Sequence, residues 1–302
     1  MTQIITDSAS ALPMMDSIPR NVHILGMSAV INAREYIDSK VREFNAILAA
    51  NTKSPGEIST SQPSPAYINA LFEDCLRTGE DLLAIVMSSK MSGTYDACCN
   101  AAGNLSVKYP NQKIAVVDTT SNSLDEGFAV LDAAKTLESG GSFKAAIEAA
   151  ISSIKRSRWL FTTETLSYLR AGGRIGRASS LAADILKICP VLTVNEGETA
   201  VAKKIRQYKK ARAYIGEKVL SDEKKHGLED IYVHFAGDED AAHEWCRELE
   251  HTLGRVIPVM SIAPAVGAHV GNAMGVVYRC KEAIKDKVSE GYPFVEAFNF
   301  VY

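Results

Sequence analysis

Short apolar runs alternate with longer segments of helical spacing in the first half of the chain. The apolar runs occupy residues 3–6, 22–32, 81–89 and 113–119. Segments with helical spacing occupy residues 65–78, 96–105, 128–141 and 142–156. This alternation is typical of a parallel sheet covered by helices. We therefore expect an α/β fold, with an N-terminal parallel-sheet α/β domain over residues 1–157.

The second half follows a different pattern. Strand-like runs at 158–164, 230–237, 255–271 and 273–280 are mixed with helical segments at 179–188 and 207–226. Two further apolar runs within 190–206 flank the turn sequence Asn-Glu-Gly-Glu, which predicts a hairpin. We expect a C-terminal α+β domain with a mainly antiparallel sheet over residues 158–302. Its tail, 281–302, is predicted to be a helix followed by an aromatic end.

Composition excludes several classes of function. The chain has 302 residues, a net charge of -3 and 46% hydrophobic residues. Its length fits about two domains, and its charge gives no electrostatic reason to bind nucleic acid or an anionic membrane. It has no run of about 18 apolar residues, which a membrane span would need. Asp7 comes too early for the apolar core of a signal peptide. We expect a cytoplasmic protein.

Cysteine and histidine residues give no pattern for a metal site. The six cysteines lack a CxxC spacing and are expected to be free thiols. There is also no GxxxxGK[ST] sequence and no strand followed by GxGxxG, so nothing predicts a nucleotide-phosphate site. His269 is the histidine of most interest because small residues surround it in the sequence, although a lone histidine is more often structural.

Polar loops follow the predicted strands of the first half. They lie at 7–10, 88–94 and 118–123, and a fourth polar segment, Ser-Thr-Ser-Gln-Pro-Ser-Pro at 59–65, precedes a predicted helix. Helix capping alone explains the Ser and Thr residues of any one loop. Ligands bind outside the carboxyl ends of parallel strands, and four such loops at one edge favour a shared site for an anion or carboxylate.

Six ordered motifs resemble the DegV family. They are IITDSASALP at 4–13, TSQPSP at 60–65, SSKMSGTYDA at 88–97, YLRAGGRIGRAS at 168–179, LKICPVLTVNEGE at 186–198 and PAVGAHVGNAMG at 264–275. The resemblance implies a fatty-acid-binding protein with two α/β domains and a long acyl ligand buried between them. It also implies a carrier, not an enzyme by itself, which presents the fatty acid to a separate fatty acid kinase that makes the acyl phosphate. It implies no cofactor besides the bound fatty acid, and it leaves room for transient contact with a membrane.

Site residues are transferred from the family motifs by position. The resemblance implies that Thr60, Ser61, Ser92 and the backbone of Gly93 bind the carboxylate of the ligand. A buried carboxylate must be hydrogen-bonded or paired, and proline can hold such donors in place. The basic residues Arg174 and His269 match positions near the carboxylate, for phosphoryl transfer or kinase contact, and Arg206 matches a partner-facing position more weakly. Candidates for the acyl tunnel, which could equally be ordinary core, are Ile24, Leu25, Met27, Leu166, Leu169 and Ile185.

Two other functions remain open. A serine hydrolase or acyltransferase could use Ser61 or Ser92 with His269 as base, although no GxSxG sequence supports it. A binder of another small carboxylate metabolite would use the same polar loops. One segment also departs from the family pattern: residues 116–128 carry Asp125 and Glu126 before Gly127. We transfer no ligand contacts from that segment.

Overall fold

A computed structural model describes residues 2–50, 58–181, 188–284 and 288–302 of the chain. The strands are β1 (Thr2–Asp7), β2 (Val22–Leu25), β3 (Ser28–Ile31), β4 (Arg34–Tyr36), β5 (Ile58–Ser61), β6 (Asp81–Val86), β7 (Ile114–Asp118), β8 (Ser157–Thr163), β9 (Val191–Asn195), β10 (Glu198–Lys203), β11 (Leu228–Ala236), β12 (Val259–Ser261), β13 (Ala273–Cys280) and β14 (Val295–Phe298). The helices are α1 (Val41–Ala50), α2 (Pro65–Leu76), α3 (Thr94–Lys108), α4 (Leu124–Glu138), α5 (Phe143–Arg156), α6 (Ser167–Ala171), α7 (Tyr208–His226), α8 (Glu239–Leu253) and α9 (Pro264–Val270).

The first sheet has the strand order β14-β7-β6-β1-β2. Its strands β2, β1, β6 and β7 pair in parallel, and β14 pairs antiparallel with β7. Strands β6 and β7 are almost wholly buried, which explains their continuous apolar sequences. The α/β class and the parallel sheet expected for the first half are confirmed.

The second sheet has the order β10-β9-β8-β13-β11-β12. All its neighbouring strands pair antiparallel except β11 and β12, which are parallel. Antiparallel pairing needs only short connections, and the predicted hairpin is formed by β9 and β10. The expected mainly antiparallel sheet is therefore present. The exact division of the chain into domains at residue 157 remains a prediction.

Helix α4 lies between the two halves, contacting β1 and β6 on one side and β8 and β13 on the other. Its Asp132 accepts a hydrogen bond from Arg156 Nη2 at 2.8 Å and forms an ion pair with Arg279 on β13. Arg156 also binds Glu229 Oε2 at 2.7 Å. These side chains are mostly shielded from solvent, so removing one partner would leave a charge without compensation in a partly buried place. It joins the first half to the second sheet.

A small third sheet, ordered β4-β3-β5, corrects two predictions. Residues 22–32 do not form one strand, because the chain leaves the first sheet after Leu25 and re-enters a different sheet at Ser28. The segment expected to be a loop at 59–65 begins as strand β5, which pairs antiparallel with β3. An apolar run cannot reveal such a change of sheet, because both strands alternate or mix buried and partly buried residues and keep the same apolar character.

Two later segments also differ from expectation. Only Val259–Ser261 of the predicted strand 255–271 is extended, and α9 begins at Pro264, which suits the first turn of a helix. The aromatic end of the tail contains strand β14 at the edge of the first sheet, and the described residues of the tail include no helix, contrary to the prediction. Most of the helix predicted at 179–188 lies outside the described residues, although Gly176–Leu181 forms a 3-10 helix.

Candidate ligand-binding site

A cavity of about 340 Å³ lies where the three sheets meet. Its apolar wall combines residues from both halves of the chain, with Met27, Met87 and Met91 from the first half and Trp159, Phe161, Leu169 and Val194 from the second. Trp159 and Phe161 stack with their ring centroids 4.2 Å apart. Methionine side chains are flexible and adapt to irregular ligands. The size falls within the range of small-molecule sites.

One end of this cavity is polar. It is lined by Thr60, Ser61, Gln62, Ser92, Arg174 and His269. Ser61, Gln62 and Arg174 are exposed, whereas Thr60, Ser92 and His269 are partly buried. The polar end therefore reaches solvent while the rest of the wall is mostly apolar. This arrangement suits an amphipathic ligand whose polar group points outward.

Thr60 and His269 form a direct hydrogen bond across the polar end. Thr60 Oγ1 lies 2.9 Å from His269 Nε2. Strand β5 presents Thr60, and the short helix α9 presents His269 from the second half. Burial, together with the nearby charge of Arg174, lowers the pKa of His269 to about 4. The imidazole is therefore neutral at physiological pH.

Gly172 makes room for this histidine. A Cβ atom placed on Gly172 would lie 1.9 Å from His269 Nδ1, well inside van der Waals contact. No larger residue fits unless the imidazole moves. Among the residues that the structure describes, Nδ1 has no hydrogen-bond partner. The position of His269 thus depends on a glycine in the segment that follows α6.

Arg174 connects that same segment to the loop that carries Ser92. Its Nε donates to Met91 O at 3.0 Å, and its Nη1 donates to Gly172 O at 2.7 Å. Two backbone carbonyls therefore fix the guanidinium at the exposed end of the cavity. A fixed cation at this point attracts an anionic group.

Ser92 lies just before α3, and its hydroxyl is oriented by the first helical residue. Ser92 Oγ lies 2.9 Å from Thr94 Oγ1 and accepts a hydrogen bond from Thr94 N at 3.3 Å. The positive end of the α3 dipole favours an anion at this position. Gly93 follows, and a Cβ there would lie 2.5 Å from Gln62 Oε1. Gly93 lines the neighbouring groove between α2 and α3 and not the cavity itself.

The structure brings most of the predicted site residues together. Thr60, Ser61, Ser92, Arg174 and His269 all line the cavity, and Gly93 lies beside it. The structure places these side chains, while their roles stay predictions. Arg206 is exposed and lies outside the cavity wall.

Only part of the predicted acyl tunnel lines the cavity. Met27 and Leu169 belong to the wall. Leu25 packs instead into the core between the first sheet and helices α2 and α3, and Leu166 is buried outside the wall. Ile24 is half-buried and also lies outside it, whereas Ile185 is outside the described residues.

Asn122 is a cavity residue that was not named as a site residue, although it belongs to the polar loop 118–123 predicted at the ligand-binding edge. It lies in the segment 116–128, from which no ligand contacts were transferred, and it is only 5% exposed. Its Nδ2 donates to Met91 Sδ at 2.9 Å. The signal was present, since this loop follows β7 at the edge where ligands bind in parallel sheets.

Buried acids lie close to the cavity wall. Asp7 accepts hydrogen bonds from the backbone N–H groups of Met87 and Ala9, both at 2.9 Å, yet burial raises its pKa to about 6. Burial, reinforced by the charge of Asp7, raises the pKa of Glu126 well above its usual value. Glu126 Oε1 accepts a hydrogen bond from Thr6 Oγ1 at 3.0 Å. The folded state therefore favours the protonated form of Glu126.

A mainly apolar cavity with one polar end, enclosed by an α/β fold, is typical of proteins that bind a small molecule. The chain belongs to the DegV family: the family profile, described as an uncharacterised protein of the DegV family, matches residues 1–281. A DegV domain-containing protein of Clostridium acetobutylicum is 34% identical over 279 residues, which cover 91% of this chain and 96% of that protein.

Solved structures share the fold. A fatty-acid-binding DegV family protein from Thermus thermophilus has 27% identity and a TM-score of 0.79, covering 92% of this chain and 99% of its own. A stearic-acid-binding protein from Eubacterium ventriosum has a TM-score of 0.81 at 22% identity, covering 93% of this chain and 99% of its own. The second likeness concerns the fold alone.

Within the described residues, no helix has the length and apolar character to cross a membrane. In the same part of the chain, no group of three or more His, Cys, Asp or Glu residues could hold a metal ion.

Proposed function

We propose that this protein binds a long-chain fatty acid, with the acyl chain in the apolar part of the cavity and the carboxylate at its polar end. The observation that carries the proposal is the polar end of the cavity, where Thr60, Ser92, Arg174 and His269 converge at the solvent side of a mostly apolar wall. The fatty-acid-binding relative from Thermus thermophilus supports the same ligand class. We expect the protein to act in the cytoplasm.

The hydrogen bond between Thr60 and His269 suggests how the carboxylate is held. A neutral imidazole carries one N–H, and if this proton is on Nε2 it donates to Thr60 Oγ1. The Thr60 hydroxyl is then free to donate to a carboxylate oxygen. Ser92 can donate its own proton to the ligand while it accepts from Thr94 N. Hydrogen bonds to a charged acceptor are stronger than neutral ones, which offsets the cost of taking the carboxylate out of water.

The exposed side of the polar end also suits presentation of the carboxylate to a fatty acid kinase. In that reaction a carboxylate oxygen attacks the terminal phosphorus of a nucleoside triphosphate held by the kinase. The bond from that phosphorus to the leaving diphosphate breaks, and an acyl phosphate forms. Arg174 would stabilise the negative charge of the phosphoryl group while this group passes from the nucleotide to the carboxylate. The protein would then be a carrier and not the catalyst.

A hydrolase is less well supported by the geometry. A serine nucleophile needs a base within hydrogen-bond reach. The described hydrogen bond of His269 goes to Thr60, and that of Ser92 goes to Thr94. A small carboxylate metabolite would fill little of a cavity of about 340 Å³. Turnover of acyl esters by the purified protein would favour the hydrolase.

Native mass spectrometry of protein purified without added lipid tests the binding proposal. We expect one fatty acid per chain, and extraction under denaturing conditions would identify its length and unsaturation. If the protein is empty and also takes up no added oleic acid, it does not bind fatty acids. Uptake of a short carboxylate instead would support the small-metabolite alternative.

Replacing Gly172 by alanine is expected to weaken fatty-acid binding by about tenfold, a change of about 1.4 kcal/mol. The added Cβ would push His269 away from Thr60. Titration with the fluorescent fatty acid cis-parinaric acid measures the change. Gly26→Ala is a matched control, because a Cβ on Gly26 meets nothing within 4 Å. Equal affinities for all three proteins would show that the position of His269 does not matter for binding.

Replacing Arg174 by alanine is expected to lower acyl-phosphate formation at least about tenfold even when the variant is saturated with fatty acid. The measurement is phosphorylation of the bound fatty acid by a purified fatty acid kinase. Arg247→Ala serves as the control, since Arg247 is an exposed arginine on α8. A normal rate with Arg174→Ala would remove this residue from the transfer step.

A further inference from the structure

The tail of the chain lies against the loop that carries Ser92. The family profile ends at residue 281, so residues 288–302 lie beyond the matched region. Strand β14 in this tail pairs with β7 along Val295–Phe298, and Phe294 O accepts a hydrogen bond from Asp118 N at 2.8 Å. Pairing at this edge covers backbone groups of β7 that would otherwise be open.

Asp118 connects the tail to that loop, residues 88–92, which we call the headgroup loop. The carboxylate of Asp118 is buried, with 2% of the residue exposed. It accepts hydrogen bonds from Ser89 Oγ at 2.6 Å and Ser89 N at 3.3 Å. Thr120 N donates at 2.8 Å, and Tyr292 OH donates from the tail at 3.0 Å. Removing one donor from a buried carboxylate weakens the whole cluster.

The headgroup loop transmits this contact to Ser92. Met91 N and Ser92 N both donate to Ser88 O, at 3.0 and 3.2 Å, so the loop is one compact turn. Ser88 Oγ donates to Gly197 O at 2.8 Å in the β9–β10 hairpin, and Arg174 donates to Met91 O. The loop is thus held by the hairpin, by Arg174 and by Asp118. A shift of Ser89 would move Ser92 with it.

The far end of the tail has its own anchors, well away from the headgroup loop. Asn299 Nδ2 lies 3.0–3.2 Å from the carbonyl oxygens of Ser106, Tyr109 and Gln112 near the end of α3. The ring of Phe300 packs edge-on against Phe143 at 5.2 Å. The tail therefore has two separable parts, one that touches the cluster of Asp118 and one that only fastens it to the surface.

We propose that residues 288–302 form a strap that positions the headgroup loop through Tyr292 and Asp118 and thereby slows the release of the bound ligand. The effect on release rests on the proposed fatty-acid site, whereas the positioning of the loop does not. Tyr292 is a positioning residue, since it acts through Asp118 and Ser89. Burial and the charge of Asp118 raise the pKa of Tyr292 to about 12, so its hydroxyl keeps its proton.

Tyr292→Phe and Asn299→Ala form a matched pair for the test. The first removes only the hydroxyl that donates to Asp118, and the second loosens the far anchor. With cis-parinaric acid as the probe, release into excess unlabelled oleic acid is followed by stopped-flow fluorescence. We expect Tyr292→Phe to accelerate release about three- to tenfold and Asn299→Ala to change it less than about twofold.

A double-mutant cycle with Ser89→Ala identifies the route. If Tyr292 acts through Asp118 and Ser89, Tyr292→Phe should have a smaller effect in the Ser89→Ala background than alone. Equal and additive effects would contradict this route. Acceleration by Asn299→Ala to the same degree as by Tyr292→Phe would also overturn the proposal, because the tail would then act only through overall stability.

Hydrogen exchange of the ligand-free protein supplies the second measurement. Backbone amides of the headgroup loop should exchange faster in Tyr292→Phe than in the original protein, and at the original rate in Asn299→Ala. Unchanged exchange in Tyr292→Phe would overturn the strap. If the original protein bound no cis-parinaric acid, the proposed fatty-acid function would fail, and the exchange result would still decide whether the strap positions the loop.

Discussion

Replacing Thr60 and Ser92 together by alanine is expected to weaken fatty-acid binding at least about a hundredfold while the fold stays intact. Each hydroxyl is expected to donate one hydrogen bond to the carboxylate, and such a bond to a charged group contributes about 1.5–3 kcal/mol. Two of them amount to about 3–6 kcal/mol, and each 1.4 kcal/mol is a factor of ten. In the double variant the carboxylate would lose its water without gaining enough hydrogen-bond donors. We therefore expect the affinity for the fatty acid to fall while the stability of the ligand-free protein stays the same.

Titration with cis-parinaric acid measures the affinity, and thermal unfolding of the ligand-free protein measures the stability of the fold. Ser59→Ala is the matched control, because Ser59 is an exposed hydroxyl residue on the same strand β5 that does not line the cavity. We expect this control to bind normally. Unchanged affinity in the double variant would mean that neither Thr60 nor Ser92 binds the carboxylate. A large fall in melting temperature would mean that the two residues support the fold instead.

The regular parts of the fold could be predicted because local pattern and tertiary environment agree there. The run Leu-Leu-Ala-Ile-Val in β6 is apolar throughout because helices cover both faces of the parallel sheet. Helix α2 begins at Pro65 with Ser64 as its cap, whose side chain accepts from Tyr67 N. Both signals are local, so the sequence alone was sufficient for them.

The errors arise where the outcome depends on distant partners. Nothing local to residues 22–32 shows that the chain changes sheets at Gly26, because β3 is defined by pairing with β5. The tail was expected to begin with a helix, yet its described residues include none, and Val295–Phe298 in its aromatic end extends along β7, a strand that is remote in the sequence. Pairing over such a separation leaves no periodic signal in the segment itself.

The polar end of the site was easier to predict than the cavity wall. Thr60, Ser92 and His269 lie in motifs whose residue types reflect hydrogen bonding, and the structure brings them to one cavity. An apolar residue type does not distinguish a side chain of the cavity wall from one of the ordinary core. Leu25 and Met27 are both hydrophobic, but they pack in different cores. Strand β2 ends at Leu25, and this end decides which way the side chain of Met27 points.

Replacing Glu126 by glutamine is expected to stabilise the protein at neutral and alkaline pH but not in mild acid. Glu126 is buried, and its burial and the charge of Asp7 raise its pKa well above the usual value. The folded state therefore keeps a proton that the unfolded chain loses above its ordinary pKa of about 4.3. This contribution to stability is complete below that pH and is lost as the pH rises toward the folded-state pKa, at about 1.4 kcal/mol per pH unit.

Glutamine has nearly the same shape, can still accept the hydrogen bond from Thr6 and never ionises, so its variant avoids this loss. Urea unfolding at pH 4.5, 6 and 7.5 should give the smallest difference in the free energy of unfolding at the lowest pH and a difference that grows with pH in favour of Glu126→Gln. Glu138→Gln, an exposed position on the same helix, should follow the original protein at every pH. Parallel pH curves for the original protein and Glu126→Gln would mean that Glu126 ionises in the folded state as readily as in the unfolded chain. A growing difference would instead show that helix α4 holds a neutral acid beside Asp7 and so keeps a second negative charge away from this buried part of the protein.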